Sequence, residues 1–390
     1  MEKLLLIGIN TRSMIESGLK LNYTIYSTSY FSTSDVPSIE NQKIILDESI
    51  NPDCGVFEDK FSSENILNVS KDYLDEVDYI IPISGISPND FEKKHQKKIL
   101  GNKDISKVED KYRFYKEIRN EFLTPETFYV NVDEAVEIQK NNPEVQYIAK
   151  PLKGSGGYNT NLLNNQSQLQ LNCDEKLIVQ EYIEGINLSS SVLASENEAE
   201  NIVNSRLLTQ HDFEKNSQFK YVGNILPLTE KSILAPVKNT DAINREMADT
   251  SEKLIRKFEL IGSNGVDFIL NKNGLYVIEI NPRIQGTFEC VQQALGINML
   301  EAHIKACQNE IIAIDKAKYY SYKKIIYSPK TVKYEKIDLN NLYDMPHLGS
   351  ITQKDEPLLT IIDKDKDFDK LYEKVESSSQ TVNKLANNSQ

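Results

Sequence analysis

The chain has 390 residues, 39% of them hydrophobic, which is enough for two or three domains with substantial cores. Its 45 Lys and Arg residues against 58 Asp and Glu residues give a net charge of −13, and an acidic protein repels a phosphate backbone, so nucleic acid is not an expected partner. The four cysteines and four histidines are scattered and form no zinc-binding pattern. In a chain of this size, scattered cysteines indicate reduced thiols and a cytoplasmic protein.

The first hundred residues predict an α/β layer with a parallel sheet. The apolar run at residues 4–9 is typical of a strand buried on both faces, a helix is expected over 12–21, and further strands over 24–27 and 77–83. The first strand lacks the later glycines of a dinucleotide-binding fingerprint, so no nicotinamide or flavin cofactor is expected. No segment approaches the length of a membrane span, and no membrane partner is expected.

The rest of the chain alternates helices and short strands. One charged helix is predicted over 106–120, ended by Thr124-Pro125, and others over 132–141 and 240–260. Two strands should flank a hairpin turn at 271–274. Residues past 310 mix strands and turns, and the Ser-, Asn- and Gln-rich stretch 377–390 is expected to be frayed.

A glycine-rich segment follows the strand predicted over 146–151, from which Lys150 emerges. Three of the four residues from 154 to 157 are glycine, so backbone N–H groups can turn toward an anion without a Cβ blocking the approach. Lys150 would pair with a phosphate as a point charge. An ordinary hairpin turn with a surface lysine explains this segment equally well when it is taken alone, and the pattern is not a Walker A loop.

A predicted hairpin carries polar residues inside apolar strands. Asp267 interrupts the first strand, and Glu279 and Asn281 interrupt the second. Residues two apart on a strand share a face, and a hairpin register can bring Asp267 beside the other two. Three hard oxygen ligands suit Mg²⁺, and Arg283 would clamp a phosphate oxygen. Unrelated polar residues on a solvated face are the alternative, which the apolar neighbours disfavour.

Together the two segments resemble the ATP-grasp superfamily, in which two α+β lobes clasp ATP, over about residues 100–310. The pattern is similar to the branch that contains biotin carboxylase and archaeal relatives described as predicted ATP-dependent carboligases. The resemblance implies a multidomain fold of the α/β and α+β classes. Its expected parts are an N-terminal parallel α/β layer (1–100), a first ATP-grasp lobe (101–183), a second lobe with the metal site (184–310), and a small, mostly β C-terminal unit with a polar tail (311–390).

The resemblance also implies roles for individual residues. The expected metal ligands are Asp267, Glu279 and Asn281, and the expected catalytic residues are Lys150, Arg283 and Asn281. Asn187 falls near the ribose position, which is usually acidic in the superfamily. The other residues expected to bind the nucleotide fall into three groups: lysines that reach the phosphates, one of which follows Asp110; the loop that closes over the triphosphate; and the linker that holds adenine. They are Lys111, Lys150, Lys153, Gly154, Ser155, Gly156, Gly157, Gln180, Glu181, Tyr182 and Ile183.

The implied activity is that of an ADP-forming ligase that uses ATP and Mg²⁺, with Mn²⁺ as a substitute. It would activate a small-molecule carboxylate as an acyl phosphate for attack by an amine. The alternatives are an ATP-dependent carboxylase or kinase on the same fold, and a nucleotide-binding regulator without turnover. The acceptor is expected near Gln285, Gly286 and Thr287, where Thr287 is equally a plain helix N-cap. The C-terminal unit would serve packing and, in a homodimer, subunit contacts.

Overall fold

The computed structural model describes residues 1–46, 61–154, 157, 160–163, 176–213 and 219–388. Its N-terminal part alternates strands and helices and forms a four-stranded parallel sheet in the order β3-β2-β1-β4. These elements are β1 (Glu2–Gly8), α1 (Arg12–Gly18), β2 (Tyr23–Phe31), β3 (Asn41–Leu46), α2 (Ser63–Val69), α3 (Lys71–Glu76) and β4 (Tyr79–Pro82).

The apolar run in β1 is buried on both faces of this sheet. Leu4 and Leu6 pack in one hydrophobic cluster with α1 and with helices from the region around residue 300, whereas Leu5 and Ile7 pack in another cluster with α2 and α3. Alternate residues of a strand face opposite sides, so a continuous apolar run is what a sheet covered on both faces requires. The predicted parallel layer is confirmed.

Short helices lead from this layer to the second sheet: a 3₁₀ turn (Pro88–Asp90), α4 (Lys93–Gln96), α5 (Ser106–Glu109) and α6 (Lys111–Ile118). The single helix expected over 106–120 is wrong. Asp110 interrupts it with extended backbone angles (φ −77°, ψ 103°) and caps α6, its side chain accepting a hydrogen bond of 2.9 Å from the Arg113 N–H. An aspartate that bonds to nearby backbone favours a cap over a helix interior.

The second sheet has four antiparallel strands in the order β5-β8-β6-β7. Its elements are β5 (Thr127–Val130), α7 (Val132–Asn141), β6 (Tyr147–Lys150), β7 (Asn161–Leu162) and β8 (Leu177–Glu181). The predicted helix over 132–141 is confirmed, and it begins with a reciprocal capping box between Asn131 and Glu134. β6 and β8 are neighbours in this sheet, so Lys150 at the end of β6 lies opposite Ile178 near the start of β8.

The third sheet has eight antiparallel strands. Its first part comprises β9 (Ile186–Ala194), β10 (Ala199–Thr209), α8 (Gln210–Phe213), β11 (Tyr221–Leu226), α9 (Thr240–Lys257), β12 (Gly262–Asn271) and β13 (Gly274–Asn281). Met247, Leu254 and Ile255 of α9 are buried in one cluster with Val192 of β9 and Phe268 of β12. These bounds confirm the predicted long helix and the predicted hairpin. Because α9 packs on one face of the large sheet, the opposite face stays open.

The C-terminal third begins with α10 (Phe288–Leu295) and α11 (Met299–Cys307) and continues with β14 (Tyr320–Tyr327), β15 (Val332–Lys333), β16 (Leu342–Tyr343), β17 (Ile351–Thr352), β18 (Pro357–Asp365) and α12 (Phe368–Asn388). β14, β18 and β16 extend the large sheet to the order β13-β12-β9-β10-β11-β14-β18-β16, and β15 pairs with β17. The predicted fold class is confirmed. We keep the boundaries at residues 100, 183 and 310 as a proposal.

The polar C-terminal stretch is not frayed up to residue 388, which corrects the expectation from composition. α12 buries Leu371, Val375, Val382 and Ala386 against the sheet. These residues lie 4, 7 and 4 positions apart, which places them on one helix face, and their polar neighbours conceal this pattern in a count of residue types. None of the described helices combines the length and the apolar character that crossing a bilayer requires.

Candidate active site

A cavity of about 380 Å³ lies between the four-stranded antiparallel sheet and the open face of the eight-stranded sheet. Residues of β6 and β8 line one side, and residues of β9, β12 and β13 line the other. Two of the expected nucleotide-binding residues, Ser155 and Gly156, lie outside the described residues. The expected residues that line the cavity are Lys111, Lys150, Gly154, Gly157, Gln180, Glu181, Tyr182, Ile183, Asn187, Asp267, Glu279, Asn281 and Arg283.

Lys150 is the last residue of β6 and is buried at the cavity wall. Its ammonium donates a hydrogen bond of 2.8 Å to the Gln180 side-chain oxygen, and the Gln180 amide donates one of 2.8 Å to Thr127. Burial, with a smaller contribution from the nearby Lys111, lowers the pKa of Lys150 to about 8, and Glu279 opposes both effects. A buried cation of this kind favours an anionic ligand, and the hydrogen bond to Gln180 orients the Lys150 ammonium.

Lys111, the first residue of α6, projects from the other side of the cavity. Its ammonium donates a hydrogen bond of 2.7 Å to the Gly154 carbonyl and lies 3.5 Å from a Glu279 carboxylate oxygen. Lys111 on α6 and Lys150 on β6 thus approach the same carboxylate from two different elements. Two ammonium groups at one end of a cavity are suited to a polyphosphate.

Two glycines of the glycine-rich segment, Gly154 and Gly157, line the cavity beside these lysines. Gly157 has φ +71°, and a Cβ at this position would collide with the Phe219 carbonyl, so only glycine allows the close approach. Lys153 is directed elsewhere: its ammonium lies 3.0 Å from Glu109 and it lines an adjoining cavity instead. The role of Lys153 toward a nucleotide stays a prediction.

The opposite end of the cavity is aromatic. The Tyr182 hydroxyl lies 3.3 Å from His211 Nε2, and the His211 and Phe219 rings are stacked with centroids 5.3 Å apart. All three line the cavity next to Ile183. Flat apolar surfaces beside a chain segment suit a purine ring, which stacks on aromatic groups. Neither His211 nor Phe219 was predicted from the sequence, because neither belongs to a local motif.

Asn187 has an acidic neighbour that the sequence analysis did not find. Arg206 donates a hydrogen bond of 2.6 Å to the Asn187 carbonyl and also forms an ion pair with Asp212, which lines the same cavity. Asp212 lies on α8, twenty-five positions further along the chain. The wall beside Asn187 therefore contains a carboxylate, although the residue at the expected position is neutral.

The hairpin residues cluster on one face, as predicted. Asp267 pairs in register with Glu279, and Asn281 donates a hydrogen bond of 2.9 Å to one Asp267 oxygen while Ser189 donates one of 2.6 Å to the other. Burial, followed by the charge of Glu279, raises the pKa of Asp267 well above its usual range. Two carboxylates and an amide oxygen form a hard donor set that fits Mg²⁺, and a cation would relieve the repulsion between the carboxylates.

Arg283 follows β13 and reaches the same end of the cavity. Its guanidinium makes no hydrogen bond or ion pair with any residue that the structure describes. Burial lowers its pKa, and Glu279 and Asp267 oppose this effect. The adjacent Pro282 carbonyl accepts a hydrogen bond of 2.9 Å from Asn102, whose oxygen accepts one of 2.8 Å from the Ile261 N–H. Asn102 was not predicted, and it fixes the segment that carries Arg283.

The predicted acceptor residues Gln285, Gly286 and Thr287 also line this cavity. Thr287 precedes α10 but makes no side-chain capping bond, so the plain N-cap interpretation receives no support from its hydroxyl. The Gln285 side chain lies within hydrogen-bond distance of Ser189 and Ser191 on β9. These contacts place the Gln285 amide next to Ser189, which donates a hydrogen bond to Asp267.

Comparison with known proteins agrees with this geometry. Residues 108–287 match a family model described as an ATP-grasp domain, and they include the glycine-rich segment, the hairpin and Arg283. A Methanocaldococcus jannaschii protein named only as uncharacterized is 28% identical over 93% of this chain and 88% of its own length. The tyramine–L-glutamate ligase of the same organism is 29% identical over 49% of this chain and 51% of its own length.

Among solved structures, the chain is similar to the biotin carboxylase domain of the Hydrogenobacter thermophilus 2-oxoglutarate carboxylase, which was solved with MgADP, ADP and bicarbonate. The TM-score is 0.72 at 15% identity, and the match covers 97% of this chain and 89% of that chain. At this identity the likeness establishes the fold alone. The predicted ATP-grasp domain is confirmed over residues 108–287, and the predicted biotin-carboxylase-like architecture is confirmed as a fold.

Proposed function

We propose that this chain, whose residues 108–287 match an ATP-grasp domain, is an ADP-forming ligase that joins a small-molecule carboxylate to an amine. ATP and Mg²⁺ are its cofactors in this proposal. One observation carries it: Lys111, Lys150 and Arg283 surround the same end of a cavity where Asp267 and Glu279 stand together. In such an arrangement the two lysines neutralise charge on a triphosphate, and Arg283 is left to bind a second anion, the substrate carboxylate.

The named relative supports the choice of a ligase. The name of the M. jannaschii tyramine–L-glutamate ligase describes the joining of an amine, tyramine, to a carboxylic acid, glutamate. The match to this ligase covers only half of this chain, so we propose the same type of reaction and not the same two substrates. A substrate carboxylate would attack the γ-phosphate of ATP, giving an acyl phosphate and ADP, and the amine would then displace phosphate to form the amide.

Each residue of the site has a separate task in this reaction. Lys150 and Lys111 hold phosphate oxygens as the charge shifts toward the leaving ADP, and Arg283 holds the substrate carboxylate in line. Asp267, Glu279 and Asn281 would hold Mg²⁺, which supplies charge neutralisation on the phosphates. Gly154 and Gly157 bring the backbone over the cavity and exclude water, because water hydrolyses an acyl phosphate.

A carboxylase on the same fold is the second candidate, because the structural relative from H. thermophilus was solved with bicarbonate. Bicarbonate would then occupy the place of the organic carboxylate at Arg283. A regulator without turnover is the third, and the intact set of lysines, hairpin residues and Arg283 disfavours it. A cytoplasmic location, small-molecule partners and a homodimer complete the proposal.

ADP release by the purified full-length chain separates the first two candidates. The protein is incubated with MgATP and a pool of carboxylic acids, and amines or bicarbonate are added in separate reactions. The ligase proposal expects ADP formation that requires an amine. ADP formation that requires bicarbonate and no amine would sink it.

A further inference from the structure

Arg12, the first residue of α1, is a buried cation that does not line the cavity of the candidate active site. Only 2% of the residue is exposed, and its guanidinium forms ion pairs with Asp344 at 2.8 Å, Glu289 at 2.6 Å and Asp35 at 3.3 Å. Glu289 and Asp344 lie 277 and 332 positions further along the chain. The parallel layer, α10 and the C-terminal third therefore meet at one guanidinium.

The Asp344 side of this cluster anchors Arg12. One Asp344 oxygen accepts hydrogen bonds from Arg12 and from the Asn10 amide at 2.8 and 2.9 Å, and the Asp344 N–H donates to Asp35 at 3.0 Å. The Tyr343 ring lies beside the guanidinium, with its centroid 5.1 Å away. A charge taken out of water persists only where charged and hydrogen-bonding partners surround it, so these contacts fix the position of the guanidinium.

Glu289 extends the cluster toward the active site. One of its oxygens accepts a hydrogen bond from Arg12, and the other lies 3.3 Å from the Lys323 ammonium, which also donates one of 3.2 Å to the Gly286 carbonyl. Glu289 lies in the first turn of α10, Lys323 lies on β14, and both are buried. Gly286 lines the cavity. A continuous series of polar contacts thus connects Arg12 with the cavity wall.

Gly286 belongs to a turn that this series can orient. The Phe288 N–H donates a hydrogen bond of 3.1 Å to the Gln285 carbonyl, so residues 285–288 form the turn that leads into α10. Gln285 and Thr287 of this turn line the cavity. Glycine has the widest choice of backbone angles, because it has no side chain to restrict them. The partner of the Gly286 carbonyl therefore decides how this peptide unit is rotated.

We propose that Arg12 is a positioning residue for the acceptor end of the site. It holds Glu289, and Glu289 keeps the Lys323 ammonium on the Gly286 carbonyl, which orients the turn over 285–288. This inference rests on the proposed ligase function, because the amine acceptor is expected at that turn. The two phosphate lysines are not part of the series, so nucleotide binding does not depend on it.

Two amide substitutions distinguish this role from a purely structural one. In Glu289→Gln a single carbonyl oxygen has to serve either Arg12 or Lys323, so the series is broken. In Asp344→Asn the series stays intact, because one Asp344 oxygen accepts from both of its side-chain donors and the asparagine oxygen can do the same. Both variants remove one negative charge from the same buried cluster, which makes Asp344→Asn the matched control.

Hydrogen exchange, turnover and nucleotide binding are measured on the full-length proteins. In Glu289→Gln the Phe288 N–H should exchange at least about tenfold faster, because its turn opens more often. The kcat of amine-dependent ADP formation, with MgATP and the pool of acids and amines, should fall at least about tenfold, because the acceptor is misplaced. The Kd for MgADP, measured by calorimetry, should stay that of the wild type.

Asp344→Asn should match the wild type in all three measurements. Wild-type exchange and turnover in Glu289→Gln would overturn the inference. Equal losses in Glu289→Gln and Asp344→Asn would overturn it as well, because they would show that the cluster serves stability alone.

A double-mutant cycle tests whether Arg12 acts through Glu289. Arg12→Met should lower turnover at least about tenfold, and the double variant with Glu289→Gln should lose no more than the more impaired single variant, because both changes break the same series. The double variant has one negative charge fewer around the missing guanidinium, which favours its folding. Losses that multiply would contradict the inference. Where Arg12→Met does not fold, the comparison of Glu289→Gln with Asp344→Asn decides.

These results separate the inference from the proposed function. Amine-dependent ADP formation by the wild type, together with unaltered exchange and turnover in Glu289→Gln, would overturn the role of Arg12 and leave the ligase proposal standing. ADP formation by the wild type that needs no amine would overturn the ligase proposal. Faster exchange of the Phe288 N–H in Glu289→Gln, but not in Asp344→Asn, would then still show that the series orients the turn.

Discussion

Asp267 and Glu279 stand opposite each other because β13 contains one extra residue. From the turn to Phe268, the pairs follow a register in which Asp267 would face Ile278, but a bulge shifts the pairing so that Asp267 faces Glu279. A one-residue slip in a strand exchanges its two faces. The bulge at Ile278 therefore brings Glu279 and Asn281 to the face of Asp267, and the proposed cation site depends on this bulge.

Replacing Glu279 by glutamine tests the metal assignment. The variant keeps the size of the side chain and removes one hard anionic ligand, so Mg²⁺-dependent ADP formation should fall at least about a hundredfold. The melting temperature should stay close to that of the wild type, because removing one of two facing carboxylates reduces repulsion. Glu117→Gln, at an exposed position on α6, is the matched control and should retain activity. Wild-type turnover by Glu279→Gln would refute the assignment.

Replacing Lys150 by methionine tests the phosphate role. The loss of a charge-assisted hydrogen bond should weaken ADP about ten- to a hundredfold, measured by calorimetry at pH 7. The unliganded variant should melt no lower than the wild type, since burial lowers the Lys150 pKa to about 8 and the folded state holds this ammonium at a cost. An unchanged ADP affinity would count against the assignment.

Asn102→Ala should impair both stability and catalysis. Removing the amide leaves the Ile261 N–H and the Pro282 carbonyl without their partner, which should cost about 2–4 kcal/mol in the free energy of unfolding. Because Pro282 precedes Arg283, kcat should fall about tenfold or more while the KM for MgATP changes little. Asn120→Ala, at an exposed site, is the control. A destabilised variant with wild-type kcat would show that Asn102 serves the fold alone.

His303 should make stability depend on pH. Burial lowers its pKa from 6.5 to about 4 in the folded protein. Between these values the unfolded chain binds more protons than the folded one, so stability is fully present above pH 6.5 and declines as the pH falls toward 4. The loss attributable to His303 approaches about 3 kcal/mol at the lower end.

Urea unfolding of the wild type and of His303→Gln at pH 7, 6, 5 and 4.5 measures this contribution. The glutamine keeps one donor and one acceptor and does not titrate, so the gap in unfolding free energy between the two proteins should narrow as the pH falls. Parallel stability curves would contradict the assignment to His303.

The sequence predicted the site best where its chemistry is local. The spacing of Glu279 and Asn281 places both on one face, and the glycines after Lys150 indicate a close backbone approach, so both segments were identifiable without a structure. Only the register of β12 and β13 determines that Asp267 joins them, because that register depends on the bulge at Ile278.

Other site residues come from distant parts of the chain. Asn102 contacts residues about 160 to 180 positions away, and His303 contacts Leu100 across 203 positions. Asp212 approaches Asn187 through Arg206 on a neighbouring strand. None of these contacts leaves a pattern in nearby residues, because the fold brings together segments that are far apart in the sequence or lie on neighbouring strands. The expected frayed tail was wrong for a related reason, since composition does not reveal the buried face of α12.

Transfer of oxygen between the substrates tests the central claim most directly. The protein is incubated with MgATP, amines and carboxylic acids whose carboxylates carry ¹⁸O, and the released phosphate is analysed by mass spectrometry. Formation of an acyl phosphate followed by attack of the amine predicts one ¹⁸O atom in each released phosphate, with an amide as the second product. Unlabelled phosphate released together with ADP would contradict the proposed ligase.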